Sequence, residues 1–420
     1  MAVTREELGA RLRSAREASG LTQAEVAARL GLSRPAVAEI EAGRRGVSGL
    51  ELDRLAYLFG RDIREFLRPA FDAEDVLAAV FRAAPELAED DLAGSLRDAI
   101  RLGRELSSLE ASLGLPGADL VAPAFPAVLP HNRWDAVQQG ERAAAEERRR
   151  LDLGTGPIDD VAELLTAQGV RAVCIDLPAD VSGMTLRLRQ AGLLVVVNRA
   201  HAWTRRRFSW AHELAHVRLD PDLLNQVSRG SERDDLREVR ANAFAAAFLL
   251  PEEGVRQFVE RLGKGEPSRA RARLFDEAGA LEIEARATPG SQRIQLYDVV
   301  LLAHHFKVSR MAAVYRLLNL KLLTQTELDE LRAMEDAGAG KRLQDLLHLP
   351  APDPAALREE FRHRFLGLAL ESYRRELITQ GKLFELARLV GVEREEVLEL
   401  LDHAGLLAET SGPEVLLPEA

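Results

Sequence analysis

Apolar residues recur at three- and four-residue spacing through the first 67 positions. Leu12, Leu21, Val26, Ala27, Leu30, Val37, Ile40, Leu52, Leu55 and Leu58 supply the stripes, and Gly20, Gly31, Gly43 and Gly46 punctuate them. The pattern predicts a compact set of five short helices. Thr4 and Thr22 read as N-caps, and Ser33 caps the next helix, with Arg34 and Pro35 in its first turn. An acidic amphipathic helix is expected over 70–113, followed by the run GLPGADLVAPAFPAVLP, whose Pro, Gly and Ala content reads as a linker. Beyond it the periodicity predicts helices near 133–151 and 159–168. Strands are expected at 170–176, 184–189 and 193–198, the last two joined by a hairpin turn at Gly192. Two further helices follow at 204–219 and 236–250. Residues 264–295 are polar and read as an insertion. The helical pattern then resumes to the end, with a break around 348–354.

The fold class is therefore mainly α with a small β-sheet. We divide the chain into a helical domain at 1–67, a helical segment and linker at 68–130, an α+β domain at 131–263, the insertion at 264–295 and a helical C-terminal region at 296–420. A length of 420 residues suits two or three domains, and 46% hydrophobic with 29% charged residues describes a soluble globular protein. The net charge of −11 argues against a protein that coats nucleic acid, while leaving room for a local basic face. A single cysteine, Cys174, excludes a disulfide framework within the chain; lying in the apolar run VRAVCID, it reads as a small buried hydrophobe. No run reaches the ~18 apolar residues of a membrane span, so no membrane partner is expected and a cytoplasmic location is.

The chemistry concentrates in His212-Glu213-Leu214-Ala215-His216. Residues four apart share a helix face, so both imidazoles point to one place, and two histidines make half of a zinc site. Glu213 is placed to take a proton from water activated by the ion. Such a motif alone is a modest signal. A second run, Glu238-Val239-Arg240-Ala241-Asn242, opens an apolar helix 22 residues beyond His216. Glu238 is the preferred third ligand, because its helix can pack across the first. Asn242, one turn later, is placed to orient a ligand histidine. The other acids nearby, Asp220, Asp222, Glu232, Asp234 and Asp235, fall in a polar loop and read as solvated. Leu219 and Asp222 occupy positions where a longer HExxHxxGxxH motif would place glycine and a third histidine, which excludes that class. Two histidines and a carboxylate suit Zn2+, with Mn2+ and Fe2+ as alternatives. The strand ending at Asn198 is a candidate edge for an extended substrate. His201, Tyr297, His304 and His305 are unranked candidates for stabilising an oxyanion.

In the N-terminal segment, Gly31-Leu32-Ser33 forms a turn between two short amphipathic helices, the geometry that presents a second helix to the major groove. Arg34, Pro35 and Ala36, with Glu39 a turn later, would face base edges, on the DNA-binding helix that Ser33 opens; Gln23, Arg44 and Arg45 are candidate phosphate contacts. The segment is nearly balanced in charge, so tight binding calls for a homodimer. Similar shapes recur at 299–317 and 383–400. In the last of these, Glu393, Glu395, Glu396 and Glu399 would repel phosphate, so both read as packing or dimerisation elements.

Two resemblances sharpen this reading. LTQAEVAARLGLSRPAVAEIEAGRRGVS resembles the XRE (Cro/cI-type) helix-turn-helix domain over residues 5–67. The runs RRRFSWAHELAHVRLD, LLVVVN, ExxANAFAAAFLLP, SGMTLRLR and FKVSRMAAVYRLLNL together resemble the ImmA/IrrE family of zinc metallo-endopeptidases over about 130–320. That resemblance implies a zincin-like α+β domain with His212, His216 and Glu238 as zinc ligands and Glu213 as the catalytic carboxylate. It also implies cleavage of a DNA-bound repressor under stress. Together they describe a transcriptional regulator that binds a double-stranded DNA operator and cuts a protein substrate, whether a repressor, another partner protein or itself, in a stress response or in a toxin–antitoxin or mobile-element switch. A DNA-binding sensor with a metal site that never cuts peptide is the alternative. An interaction scaffold is disfavoured by the intact motif.

Overall fold

The computed structural model describes residues 3–19, 21–59, 61, 63–68, 71, 80, 90–115, 125, 128–188, 192–221, 226–229, 235–264, 270–276, 279–285, 292–350 and 356–406. Five helices, α1 (Arg5–Ala18), α2 (Gln23–Leu30), α3 (Arg34–Glu41), α4 (Gly49–Leu58) and α5 (Ile63–Leu67), form the N-terminal unit. The expected caps are in place: the side chains of Thr4, Thr22 and Ser33 accept from backbone N–H groups of the first turn, and Ser48 and Glu51 form a further capping box. Gly31 ends α2 at φ 67°, a left-handed cap that reverses the chain into α3. Leu12, Val26, Val37, Ile40, Leu52, Leu55 and Phe59 share one core. A Cβ on Gly9 would stand 2.5 Å from the carbonyl oxygen of Ile40, so glycine is what lets α1 and α3 cross this closely.

The rest of the chain is built around a four-stranded sheet. Its strands β1 (Val170–Ile175), β2 (Val181–Leu188), β3 (Gly192–Asn198) and β4 (Gln226–Arg229) lie in the order β1-β3-β2-β4. β1 runs parallel to β3, while β2 is antiparallel to both β3 and β4. Gly192, at φ 76°, pairs with Leu188 where the β2–β3 hairpin closes, as the sequence predicts. Successive residues of β3 feed opposite faces: Leu193, Val195 and Val197 enter one core, Leu194 and Val196 the other.

On the first face lie α7 (Arg133–Arg150), α8 (Val161–Ala167), α9 (Trp203–Leu219), α10 (Leu236–Leu249) and α11 (Glu252–Arg261). They are joined there by α12 (Leu296–Phe306), α13 (Arg310–Asn319) and α14 (Gln325–Asp336), with α15 (Ala339–Leu346) packed alongside. The second face is covered by α6 (Asp90–Ser112) together with α16 (Ala356–Arg374), α17 (Gln380–Leu389) and α18 (Arg394–His403). The helical pair at 299–317 thus packs into the first core and the pair at 383–400 into the second. The molecule is mainly α with a small sheet, and among the described residues no helix is long and apolar enough to cross a membrane.

Three expectations require correction. β3 is an interior strand, not an edge: among the described residues the outer strands of the sheet are β1 and β4. Asn198 is fully buried and binds the 177–181 connection, donating to the carbonyls of Leu177, Pro178 and Val181 at 2.9–3.0 Å. β4 arises in the stretch read as a polar loop. The polar insertion contains two paired antiparallel strands, β5 (Ala270–Asp276) and β6 (Gly279–Ala285).

Candidate metal centre and nucleic-acid interface

Helices α9 and α10 meet at the centre of the first core. α10 is held against α7 at Gly140, where a Cβ would come 2.3 Å from the carbonyl oxygen of Arg240. This crossing brings Glu238, in the first turn of α10, over the α9 face that carries His212 and His216. The two Nε2 atoms are 3.1 Å apart. Glu238 Oε2 is 3.1 Å from His212 Nε2, and Oε1 is 3.2 Å from His216 Nε2. Two ligands at ~2.0–2.1 Å from one tetrahedral ion stand about 3.3 Å apart. The spacing of all three donor pairs fits a single small divalent cation.

The far sides of the rings are also specified. His212 Nδ1 donates to Asn242 Oδ1, and His216 Nδ1 donates to Asp220 Oδ2, both at 3.1 Å. Each Nε2 is thereby left facing the cluster, the tautomer a metal requires. Asn242 occupies the place expected for it. Asp220 does not: read as solvated, it is buried at the end of α9 and also pairs with the guanidinium of Arg240, itself buried. Its i,i+4 spacing from His216 was the available signal, but its burial depends on Arg240 arriving from the other helix. Asp235 caps α10, while Asp222, Glu232 and Asp234 lie outside the described residues.

Burial works against charge on His216, yet its hydrogen bonds to Asp220 and Glu238 outweigh this and raise its pKa to about 10. Burial likewise opposes the Glu238 carboxylate, but the hydrogen bonds from His212 and His216 hold its pKa far below the ordinary range.

Glu213 is 1% exposed and stands beside this trio, outside it. Its Oε2 accepts from the Thr185 hydroxyl of β2 at 2.8 Å, and its Oε1 has no hydrogen-bond partner among the described residues. A Cβ at Gly183 would stand 3.0 Å from Oε1, so a glycine in β2 makes room for the carboxylate. Neither Thr185 nor Gly183 was singled out from the sequence, because their proximity depends on strand order. Of the four oxyanion candidates, His201 bonds the Ala179 carbonyl through Nε2 at 3.1 Å. His305 stacks on Phe258, and Tyr297 is exposed with Lys264 over its ring. His304, like these, lies outside the His-His-Glu cluster.

At the N-terminal unit, Ser33 caps α3, and Arg34, Pro35 and Glu39 are exposed along its start, with Ala36 half-buried. Arg44 is exposed in the turn that follows; Arg45 bonds Glu51 at 2.6 Å. Gln23 donates to Glu41 at 2.8 Å, and Glu41 pairs with the buried Arg16, a network joining α1, α2 and α3.

Residues 7–67 match the family model of a helix-turn-helix domain, and residues 167–274 match that of the IrrE N-terminal-like domain. The chain is 32% identical over 273 residues to the propionyl-CoA carboxylase regulator of Cereibacter sphaeroides, covering 58% of this chain and 57% of that protein. It is 36% identical over 75 residues to the radiation response metalloprotease IrrE of Deinococcus radiodurans, covering 17% of this chain and 23% of that one. The chain thus spans little more than half of the first relative and under a quarter of the second. The protein therefore joins an N-terminal helix-turn-helix domain, a DNA-binding module, to a domain of the IrrE-like metallopeptidase family.

Proposed function

We propose that this chain is a DNA-binding transcriptional regulator whose IrrE-like domain is a zinc-dependent endopeptidase acting on a repressor, another partner protein or the chain itself. The carrying observation is the convergence of His212, His216 and Glu238 at 3.1–3.2 Å, with Glu213 buried beside them. His212, His216 and Glu238 would hold the ion. When bound, the ion supplies Lewis acidity, activating water and polarising a carbonyl.

The remaining work falls to the chain's own groups. Glu213 Oε1, free of hydrogen bonds among the described residues, accepts the proton of the attacking water and delivers it to the leaving amine. Thr185 holds the other carboxylate oxygen, fixing the direction in which Oε1 points. Asn242 and Asp220 keep both imidazoles aimed at the ion. β4, the outer strand of the sheet among the described residues, offers backbone groups against which an extended peptide can lie. Arg34, Pro35, Ala36 and Glu39 read the operator, Ser33 sets the start of their helix, and Gln23, Arg44 and Arg45 contact phosphates. A homodimer matches paired half-sites.

The decisive experiment is Glu213→Gln. We expect zinc content and operator binding to be retained while cleavage of co-purified or neighbouring-gene repressors, followed by mass spectrometry, disappears. A second reading has its own support: the more extensive of the two matches is to a protein named a regulator. If Glu213→Gln controls its promoter as the wild type does, the metal site is a sensor and the peptidase reading fails.

A further inference from the structure

A cavity of about 710 Å³ lies away from the His212 cluster, at the outer edge of β1, between α8 and α9 on one side and α16 and α17 on the other. Its wall combines apolar and cationic groups: Trp203 and Trp210 of α9, Ala162 of α8, Cys174 of β1, and Arg206. Residues 203, 206 and 210 follow helical spacing, so they form one face of α9, and that face is roughly opposite the one carrying His212.

Arg206 is the unusual member. It is 8% exposed, and among the described residues its one hydrogen bond goes to the Arg199 carbonyl at 3.2 Å. Its neighbours are satisfied differently. Arg207 ends on the carbonyls of Lys307, Asp159 and Ile158, and Arg199 pairs with Asp176. Asp160 also lines the cavity, but its Oδ1 caps α8, accepting from Ala162 and Glu163 at 2.7 and 3.0 Å. Glu163 lines the cavity as well, yet among the described residues Arg206 forms no ion pair within 4 Å, and a guanidinium held largely out of water on one carbonyl is unfavourable.

We propose that this cavity binds a small carboxylate with an apolar, preferably flat, body. The carboxylate meets the Arg206 guanidinium, a geometry suited to two parallel hydrogen bonds, and the body lies against Trp210 and Ala162. The volume falls within the usual range for small-molecule sites. Such a ligand touches α9 at Arg206 and Trp210, six and two residues before His212, and also reaches the helices of the second face, so it links the two layers. The proposal stands whether or not the His212 cluster hydrolyses peptide.

The test is titration of the full chain with benzoate and with cyclohexanecarboxylate, read by tryptophan fluorescence. Trp203 and Trp210 line the cavity, and the third tryptophan, Trp134, is exposed elsewhere. Saturable change with at least one carboxylate is expected, and none with benzyl alcohol or inorganic phosphate. Arg206→Gln should weaken binding roughly tenfold or more, the effect of losing a charge-assisted hydrogen bond. Its unliganded thermal midpoint should equal or exceed that of the wild type, whereas a purely structural arginine would lower it. Should Arg206→Gln fail to fold, the proposal is overturned by that instability. Ala162→Leu, which fills the cavity, should also abolish binding. Absence of saturation with both carboxylates, equal affinity in either variant, or an equal response to phosphate each overturns the proposal.

Discussion

Replacing Asp220 by asparagine should weaken both metal binding and the fold, through two different contacts. The Asp220 carboxylate is 5% exposed; Oδ2 accepts from His216 Nδ1 at 3.1 Å, and Oδ1 pairs with Arg240, with Arg237 at 3.9 Å. Arg240 is 1% exposed, so the substitution leaves it facing a neutral group inside the core. Removing one partner of a buried pair costs about 3–5 kcal/mol. An amide oxygen can still accept one bond, and Arg240 keeps its bonds to Gln139 and the Val128 carbonyl, so about 3 kcal/mol is expected. Loss of the carboxylate behind a ligand histidine weakens metal binding about 10–100-fold, or ~1.4–2.7 kcal/mol. Stability is read by urea unfolding in the presence of a chelator, and affinity by zinc competition against a chromophoric chelator. The double variant Asp220→Asn/Arg240→Met separates the contacts. With both charges gone, most of the stability should return, while His216 still lacks its carboxylate and zinc affinity stays low. Wild-type affinity in Asp220→Asn would refute the orienting role, and a double variant no more stable than the single one would refute the buried-pair argument.

Gly140→Val should destabilise the protein by at least about 1–3 kcal/mol, because the added carbon meets the Arg240 carbonyl and the helices must part. Zinc stoichiometry should fall with it, since the same crossing positions Glu238; thermal unfolding and metal analysis check both. Burial pushes the Cys174 thiol up to about 11 against the pull of Arg206 and Arg199, so at pH 8 little thiolate exists. Iodoacetamide should label the native protein roughly a hundredfold more slowly than the unfolded chain, and equal rates would contradict the burial. Arg34→Ala should cost about 1–3 kcal/mol of operator binding and relax preference at one base position, measured by fluorescence anisotropy across operator variants. A uniform loss with a shallower salt dependence would instead make Arg34 a phosphate contact.

Much of the site was legible because its rules are local. Thr22, Ser33 and Gly31 mark helix ends through contacts within a single turn, and the i,i+4 spacing of His212 and His216 aims both rings at one point whatever surrounds them. What the linear pattern determined, therefore, was helix boundaries, the hairpin at Gly192 and half of a ligand set. Tertiary structure decided everything that needed a second element. Strand order placed β3 inside the sheet, turned Asn198 from an edge residue into a buried brace, and put Thr185 and Gly183 beside Glu213. The approach of α10 brought Glu238 to the histidines and buried Asp220 against Arg240. The C-terminal helices look alike in sequence, yet α12–α14 join one face of the sheet and α16–α18 the other. An apolar stripe specifies that a face must be buried but not what buries it, because hydrophobic attraction has no direction, and partner choice comes only from packing the whole chain.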